Sequence, residues 1–168
     1  MNRHSCKNGF TFVEVIFVLG VIVTIAAFIA PNMTPLVENI ELRNAANSIK
    51  YKLILAKTRA LGDSRLHCGV FFDTGSTPQR VYAFFDNPTS GTKNYYDAGI
   101  DTRYMEPYML PPTITLQIGG TGMNRAIIFR GDGSTAIHGM QLSVQTKNDR
   151  KKNITVLPST GRIQISNP

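Results

Sequence analysis

Residues 10–30 form an almost unbroken apolar run in which Glu14 is the single charge, and all 18 Lys and Arg lie outside it. A helix rises about 1.5 Å per residue, so this run would be about 30 Å long, the thickness of a bilayer core. Val, Ile, Phe and Ala on every side leave no polar face, which excludes an amphipathic surface helix. A secretory signal would be shorter and end in small residues at a cleavage site; here the run continues into Pro31-Asn32-Met33. The pattern predicts a retained membrane anchor. Pro31 and Pro35 each remove a backbone donor and are expected to weaken the helix locally. Beyond them Leu42, Ala46, Ile49, Leu53, Ala56 and Ala60 recur at 4-3-4-3-4 spacing, one apolar stripe on a second helical stretch. Arg43, Lys50 and Lys57 repeat every seven residues on another face, with Lys52 and Arg59 beside them, and Gly62-Asp63 mark the end.

After residue 63 the pattern changes to short apolar runs separated by Gly, Pro, Asn and Ser. Strands are expected over residues 66–73 and 80–86, joined by the turn Thr74-Gly75-Ser76-Thr77-Pro78. Further strands are expected at 113–118, 125–130, 136–146, 153–157 and 162–166. The polar stretch 87–106, with Asp97 and Asp101, is too long for an ordinary connection and reads as a functional or mobile loop. The fold class is therefore α+β: a long N-terminal helix, membrane-spanning in its first half, packed on a C-terminal antiparallel β-sheet domain.

Charge refines this picture. The net charge is +7, compatible with nucleic acid or anionic headgroups, but the bases are spread along the chain. Arg3 and Lys7 precede the apolar run and the next base is Arg43. Positive flanks stay cytoplasmic, which places the N terminus inside and the β-rich bulk outside the cytoplasmic (inner) membrane. A carboxylate early in a membrane helix costs a few kcal/mol unless it is partnered. Glu14 either reaches back to the headgroups or pairs with a cation from another chain.

Gly9-Phe10-Thr11-Phe12-Val13-Glu14, behind a short basic leader and ahead of the apolar helix, resembles the processing site of type IV prepilins. The resemblance implies cleavage after Gly9 by a prepilin peptidase, N-methylation of Phe10, and pairing of Glu14 with the N-terminal amine of a neighbouring subunit. Pro31 falls where such proteins usually carry a helix-kinking proline. The chain then divides into a leader (1–9), a transmembrane and assembly helix (10–30), its amphipathic second half (31–62) and a β-rich globular domain (63–168). Three later motifs resemble the GspH/FimT group of minor pseudopilins and pilins. They are the helix end Ala56-Lys57-Thr58-Arg59-Ala60, the turn Phe129-Arg130-Gly131-Asp132-Gly133, and Gly161-Arg162-Ile163. Arg130 and Asp132 depart from the usual turn. The implied partners are other pilin or pseudopilin subunits, a prepilin peptidase, an inner-membrane assembly platform, and the lipid bilayer before assembly.

No catalytic constellation stands out. His67 and Cys68 are neighbours on one expected strand and point to opposite faces, and no histidine pair has metal spacing. Asp97, Asp101 and Glu106 match no calcium loop. Neither an enzyme activity nor a cofactor or metal is expected. With the leader removed, Cys68 is the one remaining cysteine, so no intrachain disulfide is available, and it reads as a small core residue. The main functional reading is a filament subunit of a type II secretion pseudopilus or type IV pilus. The alternative is DNA capture by Lys147, Arg150, Lys151, Lys152 and Arg162, expected to converge at the C-terminal hairpin and bind phosphate by counterion release. Gln164 stands where DNA-binding members carry a second arginine. A third reading, an unprocessed membrane-anchored sensor or carrier domain, requires the Gly9 pattern to be accidental.

Overall fold

The computed structural model describes residues 10–29, 33–63, 67–87, 95–119, 125–136 and 140–167, which fall into two units, Met1–Val37 and Glu38–Pro168. In the first unit α1 (Phe12–Ile29) is apolar all round. Its large side chains, from Phe12 to Phe28, are exposed, and Thr24 returns its hydroxyl to the Gly20 carbonyl at 2.8 Å. At 18 residues it is about 27 Å long, shorter than a bilayer core. Among the described residues no helix is long and apolar enough to cross a membrane. Pro31 lies outside the described residues.

The next helix, α2 (Thr34–Gly62), corrects the expectation for Pro35. That residue sits in the first turn, where its missing N–H would have had no helical partner, so it starts the helix instead of weakening it. The apolar stripe is as expected: Leu42, Ala46, Ile49, Leu53, Ala56 and Ala60 are all buried. Lys52, expected beside the basic face, is buried too. Its ammonium donates to the Glu106 carbonyl at 2.9 Å. Desolvation lowers its pKa, opposed by the nearby Glu106 carboxylate.

The β domain contains two antiparallel sheets. β1 (His67–Asp73) and β2 (Arg80–Asp86) form the expected hairpin in register His67↔Asp86 to Asp73↔Arg80. The short β3 (Thr102–Arg103) and β4 (Tyr108–Met109) add to the outer edge of β2. β6 (Ala126–Phe129) adds to the other side of β1. β5 (Ile114–Gly119), β7 (Gln141–Thr146), β8 (Lys151–Val156) and β9 (Ile163–Ser166) make the second sheet in the order β5-β7-β8-β9. Both sheets present alternate residues to the α2 stripe: Cys68, Val70, Phe72 and Val81 from one, Leu116, Leu142, Val144, Ile154 and Val156 from the other. Cys68 is fully buried, and burial pushes its thiol up to about 11. In a Cys6→Ser chain at pH 8 the thiolate fraction is about 0.001, so a disulfide reagent should label Cys68 only as the domain unfolds. Rapid labelling in native buffer would contradict this placement.

The other face of the first sheet carries Gly69, Phe71, Tyr82, Phe84 and Ile128. Tyr96 covers it, with ring centroids 4.4 Å from Phe71 and 4.9 Å from Phe84. Arg103 lies 4.1 Å over Tyr82 and donates from Nε to the Tyr96 hydroxyl at 2.9 Å. The described part of 87–106, expected to be a functional or mobile loop, is thus a tethered cover with a short strand, β3, inside it. Asp101 is buried and accepts from the backbone N–H of Asn87 at 3.0 Å and of Asp97 at 2.7 Å, closing the segment on itself.

Candidate assembly site and basic residues

Gly9 lies outside the described residues; Phe10, immediately before the helix, is 85% exposed. Thr11 is the N-cap of α1. Its hydroxyl accepts from the Glu14 backbone N–H at 3.3 Å, and one oxygen of Glu14 accepts from the Thr11 backbone N–H and hydroxyl, both at 3.1 Å. This is a reciprocal capping box, Thr-x-x-Glu, which satisfies two donors that a helix start would otherwise leave open. Neither role foreseen for Glu14 included this one. Its other oxygen has no bond to this cap.

The three dispersed motifs of the β domain meet at one junction. Lys57, near the end of α2, donates from Nζ to the Thr160 carbonyl at 2.8 Å. The 130–134 turn, closed by Gly133 N–H to Arg130 carbonyl and Arg130 N–H to Ser134 carbonyl, both 2.9 Å, slips between them. Hydrogen bonds from the Ser134 hydroxyl and backbone hold the Asp132 carboxyl below its ordinary pKa. Gly133 has φ +80°, and a Cβ there would stand 3.1 Å from Leu61 Cδ2. Gly161 has φ +56°, and a Cβ there would stand 2.1 Å from the Gly133 carbonyl oxygen and 3.2 Å from the Phe129 ring. Arg59, in the same helix end, places its guanidinium 4.4 Å over Tyr104 and 5.8 Å over Phe85, a cation–π contact that fixes the helix to the first sheet.

The five bases assigned to DNA capture do not form one patch. β8 begins at Lys151, two residues earlier than expected, because Asp149 takes φ 65° and completes the turn. Lys151 and Lys152 are therefore consecutive strand residues and point to opposite faces. Lys151 lies 3.7 Å from Asp149, and Lys152 donates to Asn167 Oδ1 at 3.2 Å. Lys147 and Arg150 are exposed in the turn. Arg162 precedes Ile163, which pairs with Val156 at the far end of β8. Five residues of strand, about 17 Å, separate it from the Lys151 end. Nearness in sequence suggested convergence; the antiparallel return of β9 puts Arg162 at the opposite end.

No family model matches the chain, and no curated protein matches it in sequence. Solved structures do. The minor pseudopilin EpsH from the type 2 secretion system of Vibrio cholerae superposes with a TM-score of 0.55 at 17% identity, covering 76% of this chain and 98% of that one. The type IV minor pilin FimU of Pseudomonas aeruginosa gives 0.58 at 14% identity, covering 79% and 92%. The fold is type IV pilin-like.

One neighbour is a minor pseudopilin and the other a type IV minor pilin. Among the described residues of this pilin-like chain, no group of three His, Cys, Asp or Glu is placed to hold a metal. Asp101 spends both oxygens on backbone donors, and His67 faces its register partner Asp86 at 3.5 Å. Of the residues that carry the geometry, Thr11 and Lys52 were not singled out by pattern. Thr11 was legible as the first letter of a Thr-x-x-Glu capping box; Lys52 is charged and flanks the stripe, so no periodic signal marks it as buried.

Proposed function

We propose that this chain is a non-catalytic subunit of a pilus- or pseudopilus-type filament. In this reading it is cut after Gly9, methylated on Phe10 and held by residues 10–30 in the cytoplasmic membrane until a platform adds it to other pilin-like subunits. The observation that supports it best is α1 itself. It is a helix with exposed apolar side chains on every side, set directly behind the Gly9-Phe10 pattern in a chain whose β domain is pilin-like. Apolar surface of that extent needs lipid or other helices to cover it. Glu14 would close its own helix while the subunit waits, and offer its second oxygen to a neighbour's amine on assembly.

Coexpression of the full chain with a prepilin peptidase tests this by intact mass. The expected product lacks residues 1–9 and is one methyl group heavier than the remaining sequence. Gly9→Leu should leave the chain uncut. Glu14→Gln should be cut normally, because glutamine serves a capping box equally well, yet fail to enter filaments when expressed with the partner subunits. An uncut wild-type chain, or filaments containing Glu14→Gln at wild-type levels, would overturn the corresponding part of the reading.

A further inference from the structure

Among the described residues the second sheet ends in an open edge. There β9 pairs with β8 alone, and the Leu157 N–H to Arg162 carbonyl bond of 3.0 Å sets which residues face which way. Alternation from that pair makes Gln164 and Ser166 the bonded partners of Thr155 and Asn153, so the N–H and C=O groups of Ile163 and Ile165 point away from the sheet. Edge strands usually guard themselves with a charge, a proline or a bulge. β9 is short, but its four residues, Ile163, Gln164, Ile165 and Ser166, include no charge or proline.

Cations line the approach instead. Lys57 reaches the turn that leads into β9. Lys50 and Arg43, seven and fourteen residues before it, lie within about 20° per step of the same helix flank, at intervals of about 10.5 Å. Arg162 is exposed at the start of β9, and Lys152 meets Asn167 just beyond its end. No carboxylate among the described residues lies within ion-pair distance of Arg43, Lys50 or Arg162. The acid near this end, Asp132, is engaged by Ser134.

We infer that the β9 edge, with the Arg43–Lys50–Lys57 flank of α2 and Arg162, is a docking site for an extended acidic segment of a partner protein, added to the sheet as a fifth strand. Main-chain bonds to Ile163 and Ile165 hold the added strand, and the flanking cations select its charge. A nucleic acid would use the cations but not the edge. The inference does not depend on processing at Gly9, and a chain that is never cut would still show it.

Backbone amide exchange on the full chain in nonionic detergent reads the edge directly. The probes are a decapeptide alternating Thr and Glu, its Thr/Lys counterpart, and a ten-nucleotide oligothymidylate. The Thr/Glu peptide should slow exchange at Ile163 and Ile165 by about ten-fold, with little change at Gln164 and Ser166, which are already bonded. The Thr/Lys peptide should not slow it. A triple variant, Arg43→Glu, Lys50→Glu and Arg162→Glu, should keep wild-type exchange in the free state and lose the response. Three results would overturn the inference: no slowing with Thr/Glu, equal slowing with both peptides, or oligothymidylate perturbing Arg43 and Lys50 while Thr/Glu leaves them unchanged.

Discussion

Replacing Gly161 by alanine should destabilise the β domain by about 3–5 kcal/mol, the sum of a left-handed backbone cost and a forced steric shift. The φ of +56° disfavours any side chain, and the new Cβ would stand 2.1 Å from a backbone oxygen, that of Gly133. A backbone carbonyl cannot rotate aside as a side chain can. The Gly133 turn is itself held against Leu61, and Phe129, on the other side of Gly161, is fully buried. Relief therefore requires the 158–161 turn to lift, which breaks the Lys57 bond to Thr160 and uncovers the end of α2. Urea unfolding followed by far-UV circular dichroism would measure it. Arg162→Ala, one residue on and exposed, is the control and should change stability by less than about 0.5 kcal/mol. If Gly161→Ala matched that control, the close approach of the two turns would be wrong.

Gly69→Ala should cost about 2–3 kcal/mol by overpacking, and here the cost should be recoverable. Gly69 lies in β1 opposite Phe84 on one side and Ile128 on the other. A Cβ would stand 2.5 Å from Phe84 Cζ and 2.9 Å from Ile128 Cγ1. The obstruction is made of side chains only, so removing the Phe84 ring removes the two closest contacts and leaves only that with Ile128 Cγ1. Phe84→Leu alone leaves a gap beneath Tyr96 and should also destabilise. The double variant Gly69→Ala/Phe84→Leu should be more stable than the two single losses predict, by about 1 kcal/mol or more. Simple additivity would mean that Phe84 does not lie across Gly69.

Much of this architecture follows from local pattern. The α2 stripe, the first hairpin and the positions of the later strands rest on side-chain periodicity and turn residues, both visible along the chain. The errors came from residues that two rules pull in opposite directions. Lys151 and Lys152 looked like turn residues by charge but are strand residues because Asp149 closes the turn early. Lys52 looked by its charge like a neighbour of the basic face but is buried and reaches a carbonyl 54 positions away. Pro35 looked like a breaker by identity but occupies a first turn. The candidate site divides the same way. The Gly9-to-Glu14 pattern is contiguous and could be read directly. The junction of Lys57, Gly133 and Gly161 brings three distant segments together, and nothing in a single sequence says that weak motifs so far apart touch.

That junction also has a consequence in time. The Lys57–Thr160 bond spans 103 positions, and chains are made from the N terminus. The helix end emerges early and waits, with the Phe129 strand uncovered, until Thr160 has been added. Long-range closure of this kind is slow because its loop entropy is paid before any contact repays it. The domain cannot lock before the 158–161 turn has been made, and that turn acts as the latch: a chain stalled short of Gly161 stays open, and so stays legible to proteases and chaperones as unfinished.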